Sequence, residues 1–212
     1  MKTRRDYRES LGGLWSGRTD ILIGTQMIAK GLDVPNVTLV GVVNADTAFH
    51  VPDFRAAERT FQLITQVAGR AGRGPRGGRV VVQSFNPHHY AVAAAAAYDF
   101  EGFVAREVEM RRDLGYPPFA RLVRVVVLGT NEKRAREAAE RFAGKLRAFL
   151  SVEDALLGPA PAPIYRLKGR YRMHLLLKTK DLAALRERLL KLAQAVSRPL
   201  QALIDVDPVN MM

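Results

Sequence analysis

Apolar residues recur along this chain in two rhythms, one helical and one extended. Phe54, Ala57, Phe61, Ile64 and Ala68 step by three, four, three and four, which places them on one face of a helix. Arg55, Arg59, Gln62, Gln66, Arg70 and Arg73 fall on the opposite side, and Pro52-Asp53 supplies a start signal with Asp53 as N-cap. Near-continuous apolar runs at Asp20–Gly24, Val37–Val43 and Arg79–Gln83 predict buried strands of a parallel sheet covered on both faces. Ligands bind such sheets at the carboxyl ends of strands, where Thr25, Lys30, Asp33 and Asp46 fall. Trp15, with Leu11 and Leu14, is expected to pack a first helix onto that sheet.

The second half reads as a separate α/β unit. His88 to about Tyr98 favours helix through its alanines. Asp99 caps a further helix to about Arg112, with Phe100, Phe103, Val104 and Val108 as its apolar stripe. Gly115-Tyr116-Pro117-Pro118 stops helix formation. A strand over Leu122–Leu128 follows. Asn131 then caps a helix with Ala135, Ala138, Phe142, Leu146 and Phe149 on one side. Two shorter strands surround Lys168-Gly169, Asp181 opens a helix buried through Leu182, Leu185, Leu189 and Val196, and Ala202–Val206 closes as a strand. The order βαββαβ is that of a split βαβ plait, which hosts many functions and licenses none. The expected domains are 1–98, a partial parallel-sheet lobe; 99–120, a helical connector; and 121–212, a basic plait.

Charge sharpens this picture. Lys and Arg number 33 against 21 Asp and Glu, a formal charge of +12 that implies attraction to polyanions. From Ala155 to Lys180 there are six basic residues (Arg166, Lys168, Arg170, Arg172, Lys178 and Lys180) and no acidic one. All lie at even positions while Leu167, Tyr171, Met173 and Leu175 are odd, so period-two counting puts the charges on one face, with Tyr165 and Tyr171 nearby. Such a face suits a nucleic-acid backbone, with a salt slope of about −4 if all six engage single-stranded phosphates. The alternative is a solvated sheet face that protects an edge.

Several classes are disfavoured. No apolar run is long enough for a transmembrane helix, and the basic start lacks the apolar segment of a secretory signal. The chain has no cysteine, which fits a reducing cytosol, and its four histidines are too scattered for a metal site, so none is expected. His88-His89 reads as an exposed or capping pair. No nucleophilic serine or paired carboxylates suggest an independent hydrolase.

The run Gln66-Val67-Ala68-Gly69-Arg70-Ala71-Gly72-Arg73 carries the sharpest chemistry. If it continues the preceding helix, Arg70 and Arg73 share a face with Gln66 one turn upstream, offering two charged forks and an amide to a polyphosphate. The arginines at 70, 73, 76 and 79 could also mark a basic linker, a reading that suits Gly74–Gly78 better than Arg70 and Arg73.

These motifs resemble a known family. Gly24–Asp33 is similar to motif V of superfamily 2 helicases, and Gln66–Arg73 to motif VI. Asn44-Ala45-Asp46, Pro52–Leu63, Tyr116-Pro117-Pro118-Phe119 and Asp205-Val206-Asp207-Pro208 resemble the PriA (primosomal protein N′) family of replication-restart helicases. The resemblance implies an incomplete RecA-like second helicase lobe followed by the basic plait. It implies that Arg70 and Arg73 are arginine fingers and that Gln66 orients the attacking water or senses the γ-phosphate. Gly31 and Asp33 would couple nucleotide state to the DNA track, and Thr25, Gln26 and Lys30 would contact DNA; for Thr25 and Asp33, loop capping is the alternative. Arg166, Lys168, Arg170, Arg172 and Lys178 would contribute to recognition of branched DNA.

The family works with ATP and Mg²⁺, but no G-x-x-x-x-G-K-[S/T] loop or acidic magnesium-binding tetrad is found here. A first lobe would have to supply them, and the chain alone is expected to be inactive. The family's zinc-binding insertion has no counterpart in a chain without cysteine. Forked and single-stranded DNA, single-strand DNA-binding protein and primosome proteins are the partners implied, without a membrane, in a bacterial cytoplasm associated with the nucleoid. The contact for single-strand DNA-binding protein is not assigned to residues. Two functions stand side by side: the carboxyl-terminal part of an ATP-dependent 3′–5′ DNA helicase, either fragment or truncated product, and a stand-alone DNA-binding or primosome-scaffolding module without a motor.

Overall fold

The computed structural model describes residues 4–25, 37–72 and 77–212. Two compact units emerge, one from 1–51 with 55–106, the other from 52–54 with 107–212. The segment 99–120, set apart above as a connector, is divided between them.

In the first unit, α1 spans Arg4–Trp15, β1 Leu39–Val42, α2 Ala56–Ala68, β2 Arg79–Val82 and α3 Tyr90–Ala97, and the start of α4 (Phe100–Asp113) belongs with them. Strands β1 and β2 pair in parallel, Leu39 opposite Arg79 through Val42 opposite Val82. Phe61 and Ile64 of α2, Ala91, Val92 and Ala95 of α3, and Phe103 of α4 form one buried cluster against Val42 and Val82. Phe61 and Phe103 stack with ring centroids 4.3 Å apart. Local chemistry opens the helices as expected: His89 Nδ1 accepts from the Ala91 N–H at 3.2 Å, and Asp99 Oδ1 from the Gly102 N–H at 2.8 Å.

Several expectations fail in this unit. Asp20–Gly24 forms no strand, and Ile21 and Ile23 are exposed. Among the described residues the β1–β2 sheet is covered on one face only; Leu39 and Val81 are exposed, and Trp15 is exposed instead of packed. An apolar run supplies side chains for a buried strand but not the neighbours that would bury it. Helix α2 begins at Ala56, after an Arg55 that makes no side-chain cap, so buried Asp53 is not the N-cap. On α4 Phe103 and Glu107 are buried, while Phe100 and Val104 are exposed.

The second unit runs β3 (Arg121–Gly129), α5 (Glu132–Arg147), β4 (Ala155–Leu167), β5 (Arg170–Thr179), α6 (Leu182–Gln194) and β6 (Gln201–Val206). Its four strands are antiparallel in the spatial order β4-β5-β3-β6. Val123, Val125 and Val127 of β3 and Met173, Leu175 and Leu177 of β5 meet Ala135, Phe142 and Leu146 of α5 and Leu185 and Leu189 of α6 in one core, so both helices cover the same sheet face. Asn131 and Asp181 cap these helices as their sequence positions predict, accepting from Arg134 and Ala184 N–H groups at 3.0 and 3.1 Å. Phe149, expected on the α5 stripe, lies past the helix end and is exposed.

Candidate nucleic-acid interface

In the first unit, candidate chemistry gathers where β1 and β2 end and where α2 gives way to a glycine-rich turn. Asp46 lies just past β1 and is buried. Its Oδ1 accepts from the Ser84 hydroxyl and its Oδ2 from the Phe85 N–H, both at 2.8 Å, tying together the carboxyl ends of the two strands. The Phe85 N–H and, less strongly, the Ser84 hydroxyl hold its carboxyl below the usual carboxylate range against the opposing effect of burial. A depressed folded value stabilises the fold above the unfolded value of about 3.9, and that contribution is lost as pH falls through the folded value. Asp46→Asn should therefore lower the unfolding midpoint at neutral pH and flatten its fall below about pH 4. Superimposable acid limbs for parent and variant would show that this staple does not contribute.

The motif that follows α2 departs from the expected continuous helix. Residues Gly69, Arg70 and Ala71 donate backbone N–H bonds of 3.0–3.1 Å back to Thr65, Val67 and Ala68, tightening the last turn before the chain leaves the helix. Gly72, at φ +78°, then donates to the Val37 carbonyl at 3.1 Å. Gln66 in the last helical turn and Arg70 just beyond it are both half-buried. Arg70 therefore lies past the end of α2, which stops at Ala68, so the helical run expected through it is not continued.

The glycines have a specific geometric role here. A Cβ on Gly72 would lie 2.9 Å from the Gly78 nitrogen, and one on Gly78 would lie 2.6 Å from the Ala71 carbonyl carbon and closer still to the Gly72 nitrogen. The backbones at 72 and 78 thus pass each other at a distance only glycine permits, holding both ends of the intervening arginine–glycine segment together. Gly72→Ala and Gly78→Ala should each destabilise this turn by about 1–3 kcal/mol. Faster hydrogen exchange at the backbone amide of position 72 would report the loss; unchanged exchange in both variants would refute the close crossing. Gln26, Lys30, Gly31, Asp33 and Arg73, also assigned to nucleotide or DNA above, lie outside the described residues; Thr25 is exposed.

In the second unit, the six basic residues do not form the single face that even numbering suggests. Strands β4 and β5 join through Lys168 (φ +48°) and Gly169 (φ +77°), a two-residue turn that pairs Leu167 with Arg170 and Arg166 with Tyr171. Cross-strand partners share a face, so parity reverses at the turn. Arg166 sits over the Tyr171 ring, 5.1 Å from its centroid, on the helix-covered side, whereas Arg170 and Leu167 lie on the opposite side. Tyr165 and Tyr171 meet edge to face and pack against the core.

Farther along β5 the open face is crowded. Arg172 is 8% exposed and donates Nη1 to the Ile164 carbonyl at 3.1 Å; burial and the Arg124 charge push its pKa down. Burial, followed by the charges of Arg124 and Arg172, also holds His174 below its ordinary imidazole value. Lys178 donates to the Leu114 carbonyl at 2.7 Å and lies over the Tyr116 ring, whose other neighbour is a stacked Phe54 at 5.0 Å. Lys180 pairs with Glu153 at 3.4 Å. Arg172 and Lys178 therefore hold the unit together. The outward-facing cations concentrate at the hairpin tip: Arg166 and Lys168 exposed, Arg170 half-exposed and fixed to Gln201 Oε1 at 3.1 Å. Counting residues alone missed this grouping, although the Lys-Gly turn held the signal for the parity reversal.

Among the described residues, no three His, Cys, Asp or Glu side chains gather as a metal site, and no helix is long and apolar enough to cross a membrane. The family model described as Helicase conserved C-terminal domain matches residues 2–75, and that described as Primosomal protein N C-terminal domain matches 112–209. The chain is 43% identical over 211 residues to the replication restart protein PriA of Bacillus subtilis, covering 97% of this chain and 26% of that protein. It is 40% identical to the PriA of Synechocystis and 38% identical to that of Thermotoga maritima, over 99% and 92% of this chain and 25% of each relative. The chain thus spans about a quarter of the length of the curated relatives it matches.

Proposed function

Because this chain belongs to the PriA family of replication restart proteins, as a match to its carboxyl-terminal portion, we propose that it is part of an ATP-dependent 3′–5′ DNA helicase acting at forked DNA. The succession of a helicase carboxyl-terminal match and a primosomal carboxyl-terminal match in one chain carries this reading. The first unit is read as an incomplete RecA-like second lobe and the second as a split-βαβ plait, an assignment supported by its βαββαβ element order.

Gln66 and Arg70 fit a role toward ATP chemically. Arg70 is half-buried with its backbone set by the tight turn, and its guanidinium carries a permanent charge suited to phosphoryl oxygens. Arg73, Gly31 and Asp33 are assigned to the same role by their motifs, while the magnesium ligands and phosphate-cradling loop would come from a first lobe. ATP supplies the free energy for strand separation when that lobe is present. This chain's own residues orient the terminal phosphate and neutralise charge that develops on it, and alone they turn over no ATP.

Thr25, Gln26 and Lys30 would follow the DNA track. Arg166, Lys168 and Arg170 would hold phosphates of an unpaired strand at the hairpin tip. Single-strand DNA-binding protein and primosome proteins are the accompanying partners, in the bacterial cytoplasm at the nucleoid. The purified chain should bind a fork more tightly than a linear duplex across a salt series. Three single-strand phosphate contacts at about −0.7 each predict a slope near −2, against about −4 for six. Equal fork and duplex affinity would count against fork recognition.

A further inference from the structure

The hairpin tip carries one side chain that phosphate binding does not explain. Leu167 is 49% exposed at the end of β4, beside Lys168 in sequence and opposite Arg170 in register, with Arg166 preceding it. It is absent from the core beneath the sheet, which takes Tyr165 and Tyr171 instead. An apolar side chain on the same side as Arg170, next to Lys168 and with Arg166 on the other side of the strand, gains nothing from a phosphate, but gains contact if an apolar surface arrives with that phosphate.

The tip is also preorganised. The left-handed Lys168-Gly169 pair suits the twist of the flanking strands, Arg166 lies over Tyr171, Tyr171 meets Tyr165 at 5.5 Å, and Gln201 holds Arg170. Little conformational freedom is left to lose when a ligand arrives.

We propose that Leu167 is a base-contacting residue that packs on the face of an unpaired nucleotide at a duplex–single-strand junction. Arg166, Lys168 and Arg170 hold the phosphates on either side. The inference rests on the DNA-binding reading above and adds to it a preference for unpaired bases. In duplex DNA the base faces are buried in the stack, so cations can bind its backbone but a leucine finds no apolar surface. A base that has left the stack exposes a face, and contact with that face is sequence-tolerant. The two kinds of contact respond differently to salt: phosphate contacts set the slope, whereas apolar contact shifts affinity at every salt concentration.

The test uses the purified chain with forked, single-stranded and blunt duplex DNA, with 2-aminopurine at the first unpaired position of the fork. Leu167→Ala should weaken fork and single-strand binding by roughly fivefold, the effect of losing a partly buried branched side chain. It should leave duplex affinity and the salt slope unchanged and abolish the 2-aminopurine fluorescence change that the parent produces; Leu167→Phe should restore both. Parent-like fork affinity and an undiminished fluorescence change in Leu167→Ala would overturn the base contact while leaving cationic DNA binding intact. If joint removal of Arg166, Lys168 and Arg170 does not weaken binding, the hairpin tip is not the DNA-binding surface and this inference falls with it.

Discussion

In a two-lobed protein carrying this chain, Arg70→Ala should lower DNA-stimulated ATP turnover by roughly 10³-fold or more. The reason is electrostatic. As the terminal phosphoryl group transfers, charge shifts on its oxygens, and a guanidinium placed beforehand meets it without a solvent reorganisation cost. Arg70 is suited to this because it follows α2 directly: Gly69 and Arg70 return N–H bonds to Thr65 and Val67, so its backbone is set by the helix and not by a free loop. Arg70→Lys should recover only part of the rate, since an ammonium keeps the charge but loses the planar fork.

Steady-state turnover with saturating DNA is the direct measurement. A fall in kcat with little change in KM would mark an interaction made mainly in the transition state. Turnover of Arg70→Ala within about threefold of the parent would remove Arg70 from the catalytic machinery, because even the low end of an arginine finger's contribution exceeds that. DNA binding by the hairpin tip should survive the substitution, which separates the motor from the binding surface.

Joint replacement of Arg166, Lys168 and Arg170 by alanine carries the second-largest expected effect. Fork affinity should fall by about 10- to 100-fold at low salt, and the slope should move from about −2 toward zero. Arg172→Ala is the informative contrast. Its guanidinium is buried and donates to the Ile164 carbonyl, so its loss should lower stability through an orphaned acceptor while barely changing the slope of the folded protein. A slope unchanged by the triple substitution would place the phosphate contacts elsewhere on this basic chain.

Much of this was legible in the residues because it depends on near neighbours. Asn131, Asp181, Asp99 and His89 cap helices by reaching two or three residues along their own chain, a relationship local spacing encodes directly. The inward positions Phe61, Ile64, Phe142 and Leu189 follow from helical periodicity in the same way. The family was legible as a resemblance carried by the motifs quoted above.

Where partners lie far apart in sequence, local pattern ran out. Ile21 and Ile23 have strand-like composition but no ladder among the described residues, and a strand requires a neighbour. Phe54 continues the apolar helical count yet stacks on Tyr116, because the helix starts two residues later. The six even-numbered cations divided between two faces because a two-residue turn exchanges odd and even across a hairpin. Residue identity and spacing by themselves determined the caps, the helical faces and the excess of positive charge, and carried the resemblance to the family. Only the tertiary structure decided which cations are exposed and which are held by carbonyls, since burial and cross-strand register are set by residues that sequence distance conceals.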